Sequence, residues 1–226
     1  MSKEKTAKEW TKEGFNYQKA KNYKKAIEYY ERALEIDPIY PIAFYHMGTS
    51  YSKLGNLEKG IECYQKVITL NPQANMAWHR LGNNYSDLGN YKKAIKSFEK
   101  AIEIDPLYKN AWNDMGIIYG YLENYKKAAE CFQKAIEINL HDVSSWNNLG
   151  YAYLKLEDFQ KSVECYTKAS EIDPRHLSTW YHLALAYDNL KNYEKALECL
   201  EKGLEISPND EDISALISII KKELNK

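Results

Sequence analysis

Nowhere in these 226 residues does an apolar run approach the roughly 18 positions that a membrane-spanning helix requires. The first ten residues, MSKEKTAKEW, lack the apolar segment of a secretory signal, so no membrane is expected and the default location is the cytoplasm. An excess of charge of one sign is also missing. Thirty-one basic residues stand against 32 acidic ones, a net charge of −1, which gives no general pull toward nucleic acid. The exception is the start of the chain, where Lys3, Lys5, Lys8, Lys12, Lys19, Lys21, Lys24 and Lys25 outnumber the acids. These read as a solvated helix face, with a docking patch as the alternative.

Groupings that carry chemistry are absent as well. The four cysteines, Cys63, Cys131, Cys165 and Cys199, form no C-x-x-C pair and no Cys/His ligand spacing, so neither zinc nor a disulfide is expected and a reducing compartment suits them. The five histidines, His46, His79, His141, His176 and His182, fall in no metalloprotease or nucleophile motif. No glycine-rich phosphate loop occurs, the glycines being assigned to packing positions and turns. Asn84-Tyr85-Ser86 matches a glycosylation sequon by accident, since its spacing puts it within a helix. No enzyme activity and no cofactor are expected.

What is present is periodic. Trp78, Trp112, Trp146 and Trp180 are spaced by 34 residues, Trp10 lies two periods earlier, and Phe44 fills the gap. With these at column 4, the repeats are 7–40, 41–74, 75–108, 109–142, 143–176 and 177–210. Column 8 then holds Gly14, Gly48, Gly82, Gly116, Gly150 and Ala184. Column 11 is always tyrosine: Tyr17, Tyr51, Tyr85, Tyr119, Tyr153 and Tyr187. Column 20 is small (Ala26, Gly60, Ala94, Ala128, Ser162, Ala196), and column 24 is large (Tyr30, Tyr64, Phe98, Phe132, Tyr166, Leu200). Columns 4, 7, 8 and 11 make an apolar stripe on a first helix, A. Columns 20, 24 and 27 make one on a second helix, B. Asn or Asp at column 16 suits an N-cap for helix B, and proline at column 32 ends it. Leu140 replaces that proline in repeat 4, which reads as simple drift, with a longer helix B or a flexible joint there as the alternative.

The succession Trp-x-x-Leu-Gly-x-x-Tyr, then Ala, an aromatic and Pro, resembles the tetratricopeptide repeat (TPR) six times over. The resemblance implies an all-α fold, a right-handed superhelical solenoid of helix-turn-helix repeats. Residues 1–6 read as a disordered or fraying start. Residues 211–226 read as a capping helix, with Ile213, Leu216, Ile217, Ile220 and Leu224 on one stripe, and the whole reads as a complete module.

The resemblance also implies a function: a scaffold or adaptor that holds a peptide or partner segment in a concave groove lined by helix A. Columns 2, 5, 9, 12 and 13 point away from the packing stripe and furnish that groove. Thirteen of the 20 tyrosines occupy columns 11, 17 or 24 and need no function. Surplus aromatics fall on the groove columns or on the turn before them: Phe15, Tyr40, Tyr45, Tyr108, Tyr121, Tyr151 and Tyr181, with His79. Among them stand Asn83, Asn113, Asn147, Asn148 and Asn189. Tyrosine buries much area at low entropic cost, and asparagine pairs with a peptide backbone through both donor and acceptor. Some relatives grip the C-terminal carboxylate of chaperones with a lysine at column 5. Here that column reads Thr11, Tyr45, His79, Asn113, Asn147 and Tyr181, which disfavours a chaperone tail as partner. An asparagine ladder at column 6 is met only by Asn148. Lys19, Lys53 and Lys155 at column 13 are placed to meet acidic side chains. Two other readings compete: aromatics that merely cover neighbouring repeats, and an assembly element that packs through its convex face or its ends.

Overall fold

The computed structural model describes residues 5–224. Among them every regular element is α-helical. The chain divides into two compact units, Met1–Asp114 and Met115–Lys226. The first holds α1 (Ala7–Lys19), α2 (Tyr23–Ile36), α3 (Pro41–Lys53), α4 (Leu57–Leu70), α5 (Asn75–Asp87) and α6 (Tyr91–Ile104), and the division falls inside α7 (Lys109–Tyr121). The second continues with α8 (Tyr125–Ile138), α9 (Val143–Lys155), α10 (Phe159–Ile172), α11 (Leu177–Asn189), α12 (Tyr193–Ile206) and α13 (Glu211–Leu224). Odd-numbered helices up to α11 are the A helices and even-numbered ones the B helices, and each kind begins every 34 residues. The fraying expected over residues 1–6 falls mostly on residues 1–4, outside the described residues. Thr6 is ordered and caps α1 in a box with Glu9.

One three-residue turn, repeated six times, joins A to B. Column 15 takes the left-handed conformation in every repeat: Lys21, Glu123, Glu157 and Lys191 have φ of 57–60°, and Gly55 and Gly89 have +79° and +72°. The amide of column 16 then bonds the carbonyl of the column 11 tyrosine, as Asp158 does to Tyr153 at 3.0 Å, closing a Schellman motif. The same column 16 residue caps helix B. Asn22, Asn56, Asn90, Asn124, Asp158 and Asn192 each accept from the amide three residues on. That third residue is always lysine. A cation at a helix N-terminus opposes the macrodipole, and here each ammonium lies 4.5–5.4 Å from the centroid of the column 11 tyrosine ring, from Lys25 over Tyr17 to Lys195 over Tyr187. The ring face offsets the unfavourable placement.

A side chain with a Cβ is disfavoured in the left-handed region by about 1–2 kcal/mol, and glycine recovers part of that. Glu157→Gly is therefore expected to stabilise the protein by about 0.5–1 kcal/mol, and Gly89→Ala to destabilise it by a similar amount. Urea midpoints that move the other way would refute this account of the turn.

Helix B keeps its length in repeat 4. α8 stops at Ile138 although Leu140 stands where the other repeats carry proline, and it has the 14 residues of every other B helix. Column 31 turns the chain there without proline. In repeats 1 to 5 its side-chain oxygen accepts from the amide two residues on, as Asp37 does from Ile39 and Asn139 from His141. The Leu140 carbonyl still accepts from Trp146 Nε1 at 2.9 Å, as Pro72 does from Trp78, Pro106 from Trp112 and Pro174 from Trp180.

Within each repeat the column 24 side chain is the buried centre, from Tyr30 through Phe98 and Tyr166 to Leu200. A Cβ added at the facing column 8 glycine would meet that ring at 2.5 Å for Gly82 and Phe98 and at 2.7 Å for Gly116 and Phe132. Column 8 also lies close to column 20: a Cβ at Gly48 would stand 3.2 Å from the Gly60 carbonyl oxygen. Asn84 of the sequon is buried, bonding Ser52 and the Leu57 carbonyl. The cysteines are buried and free, and burial pushes Cys63, Cys131 and Cys165 up to about 12, which keeps them as unreactive thiols. Ile213 and Ile220 of α13 are buried on the last repeat, while Leu224 is exposed.

Candidate protein-binding face

The B helices turn a charged surface outward, and it is paired with itself. Lys100 bonds Glu103, Lys134 bonds Glu137 and Lys168 bonds Glu171, each one helical turn apart. The A helices present something different on the side away from their packing stripe, and each unit is taken by itself.

In the first unit, the His46 imidazole lies nearly parallel to Tyr30 at 6.0 Å, with Phe15 at 5.0 Å and the edge of Tyr45 at 5.5 Å. Lys19 sits 4.6 Å over Phe15. Burial pushes the His46 imidazole below its ordinary value. Tyr45 also receives a long hydrogen bond, 3.5 Å, from Arg80 Nε one repeat on. The exposed charged residues of α1, α3 and α5 are the cations Lys8, Lys12, Lys19, Lys53 and Arg80 and the acids Glu9 and Asp87.

His79 does not belong to that surface. It is only 4% exposed, with Nε2 at 2.7 Å from the Asp114 carboxylate and Nδ1 at 3.1 Å from the Tyr108 hydroxyl. It ties α5 to α7 and to the turn before α7, and no ring nitrogen remains for a ligand. This corrects its place among the groove residues, and Tyr108 is drawn into the same chain. Tyr40 is the residue before α3 and packs on the core of the unit. Asn83 and Asn113 are half-buried on α5 and α7.

In the second unit, the arrangement around His46 recurs four repeats later. His182 lies parallel to Tyr166 at 5.6 Å, with the edges of Tyr181 at 5.5 Å and Tyr151 at 6.2 Å. Lys155 stands 5.4 Å over Tyr151, as Lys19 does over Phe15. His182 Nδ1 is 2.7 Å from the Ser178 carbonyl, so Nδ1 carries the proton and Nε2 is the acceptor of the neutral ring. Asn147 is spent internally: it donates to the Val143 carbonyl and accepts from Thr179, which itself bonds His176. Asn189 donates to the Leu185 carbonyl. Tyr121, Asn148 and Tyr151 line one pocket.

Arg80, His46 and His182 were not among the sequence candidates. A signal for the histidines existed: Tyr45-His46 and Tyr181-His182 are the same dipeptide in the same columns, each preceded one repeat earlier by an aromatic at column 9. Among the described residues no group of three or more His, Cys, Asp or Glu is placed to hold a metal ion, and no helix is long and apolar enough to cross a membrane.

No curated protein matches the chain. Among solved structures, the APC/C hetero-tetramer Cut9–Hcn1 is similar at 21% identity and a TM-score of 0.69 over 95% of this chain, which spans only 43% of that one. YrrB, described as a TPR protein with an unusual peptide-binding site, is 25% identical with a TM-score of 0.70, over 86% of this chain and 97% of its own. PilF of Pseudomonas aeruginosa is 15% identical with a TM-score of 0.78, over 94% and 96%. Models of the tetratricopeptide repeat match residues 7–40, 41–73, 73–140, 143–176 and 178–210. With its 34-residue helix pairs, its column 8 glycines against column 24 rings and these matches across nearly its whole length, the chain belongs to the tetratricopeptide repeat family.

Proposed function

We propose that this protein is a non-catalytic scaffold that holds a segment of a partner protein on its A-helix faces. The observation that carries the reading is the contrast between its two surfaces. The B-helix face pairs lysine with glutamate on α6, α8 and α10, whereas the A-helix face gathers tyrosine edges, two histidines and, in the first unit, more exposed cations than acids. The first unit's face suits an acidic segment, and the second unit's face an uncharged or aromatic one. Charge complementarity of this kind speeds association and weakens with salt. YrrB, similar over most of the chain, is itself a TPR protein with a peptide-binding site. We propose the cytoplasm as its location, and a protein segment as partner, with neither nucleic acid nor membrane.

The test compares wild type with Tyr45→Ala/Tyr181→Ala and, separately, with Lys53→Glu/Arg80→Glu, whose side chains are exposed. Partner captured from the source cell is expected to fall at least tenfold in both variants while far-UV circular dichroism is unchanged. Equal capture by all three proteins would move the contact to the B-helix face or the ends and favour the assembly reading.

A further inference from the structure

Nine of the ten glycines have a physical reason to be glycine. Gly55 and Gly89 take positive φ, and a Cβ at each of seven others would come within 3.0 Å of a neighbouring atom. Gly120 has neither reason. It lies within α7, and a Cβ built there meets nothing within 4 Å. The sequence reading assigned every glycine to packing or a turn, and this one belongs to neither. Glycine is among the poorest helix formers, so its presence costs the helix stability and returns nothing in packing.

What its missing side chain leaves open is a pocket of about 210 Å³ within the second unit. Ile117, Gly120, Tyr121, Phe132, Asn148 and Tyr151 are among its walls, and no charged side chain lines it. Tyr121 and Tyr151 stand at the exposed side, 66% and 42% accessible, although both are large rings of the kind that proteins usually cover. A cavity of about 150 Å³ with apolar walls is large enough to hold benzene. A lysine or carboxylate head entering here would lose its water and find no opposite charge.

We propose that this pocket is the anchor point for one uncharged aromatic or branched aliphatic side chain of the bound segment, gripped between the Tyr121 and Tyr151 rings over the gap at Gly120. This deepens the proposed function and rests on it. The anchor carries most of the affinity in the second unit, since a single ring buried in a fitted pocket dominates binding of this kind. It also assigns Gly120 its role: any side chain there would occupy the anchor's place.

Toluene, the free form of such a side chain, is the probe, with binding read by saturation-transfer NMR. Wild type is expected to bind it. Gly120→Leu, which fills the pocket from α7 with a better helix former, is expected to lose it while its thermal midpoint stays level or rises. Gly120→Ala adds one carbon where nothing stands within 4 Å and serves as the graded variant should leucine disturb the fold, with weakened toluene binding expected. The affinity of the captured partner is expected to fall at least tenfold in Gly120→Leu. Toluene binding that is absent in wild type, or unaffected by both substitutions, overturns the pocket. Toluene binding lost with partner affinity unchanged overturns the anchor, while the A-face reading stands if Tyr45→Ala/Tyr181→Ala still releases the partner and falls if it does not.

Discussion

Gly82→Ala is expected to destabilise the protein by about 1–3 kcal/mol, and adding Phe98→Leu to the same chain is expected to return most of that loss. The added Cβ would lie 2.5 Å from Phe98 Cε1, far inside van der Waals contact. Phe98 is 1% exposed and has no free space to retreat into. Alanine is the better helix former by about 0.8–1 kcal/mol, so the observed loss is what remains after that gain. The natural precedent lies in the last repeat. There column 8 is Ala184 and column 24 is Leu200, both 0% exposed, so the larger residue at one position accompanies the smaller one at the other. Phe98→Leu alone removes ring atoms from a packed site and is destabilising by itself. The two changes are therefore expected to be strongly non-additive in a double-mutant cycle from urea unfolding. Additive effects would show that the ring is not what holds column 8 to glycine.

Tyr166→Ala is expected to cost about 3–5 kcal/mol, the usual penalty for deleting a buried ring, whereas Tyr166→Phe is expected to cost under about 1 kcal/mol. Tyr166 is 1% exposed, and burial, with smaller contributions from Cys165 and Tyr151, holds its phenol above the ordinary value. Tyr30 and Tyr64, in the same column, bond Gln18 and Thr49 through their hydroxyls. Repeats 3 and 4 carry phenylalanine there instead, so beside a column 8 glycine the column keeps a ring and tolerates the loss of a hydroxyl. Tyr166 also forms the floor beneath His182. The alanine variant is thus expected to loosen the A-face of the second unit along with its core, and the phenylalanine variant to leave both in place. Equal losses for the two substitutions would show that the hydroxyl has a structural role.

The fold was readable because its determinants repeat. Six copies of one column average away local noise, so the apolar stripes, the N-caps at column 16 and the capping helix could all be read from residue type alone. The cause of helix B's stop was harder to read. Most repeats carry Asp or Asn at column 31 with proline at column 32, whereas repeat 4 keeps Asn139 without the proline and repeat 6 keeps Pro208 behind Ser207. The site was harder. Tyr45, Tyr151 and Tyr181 stood out as surplus aromatics on the correct columns. The fate of His79 depends on Asp114 and Tyr108, one repeat away, and no reading confined to a single helix reveals that pairing. Tyr45 with Arg80 and His79 with Asp114 follow one rule, column 5 meeting column 6 of the next repeat. That register becomes visible only once the helices are stacked. Gly120 was hidden by its company, since nine other glycines supplied a ready explanation for the tenth.

The indole bonds described above have a spectroscopic consequence. Trp78, Trp112, Trp146 and Trp180 each direct Nε1 at the same backbone carbonyl with nearly the same length. Trp10 differs, with Lys5 and Arg32 against its ring, and Trp180 carries Lys202 4.5 Å over its own. Intrinsic fluorescence therefore sums several emitters that share one hydrogen-bond environment, and the opening of one repeat changes only a fraction of the signal. A smooth emission change on unfolding is then no proof that the repeats unfold together. Phe44 shows that column 4 accepts phenylalanine, so chains that keep one tryptophan at a time give each of the five hairpins that carry one its own optical address.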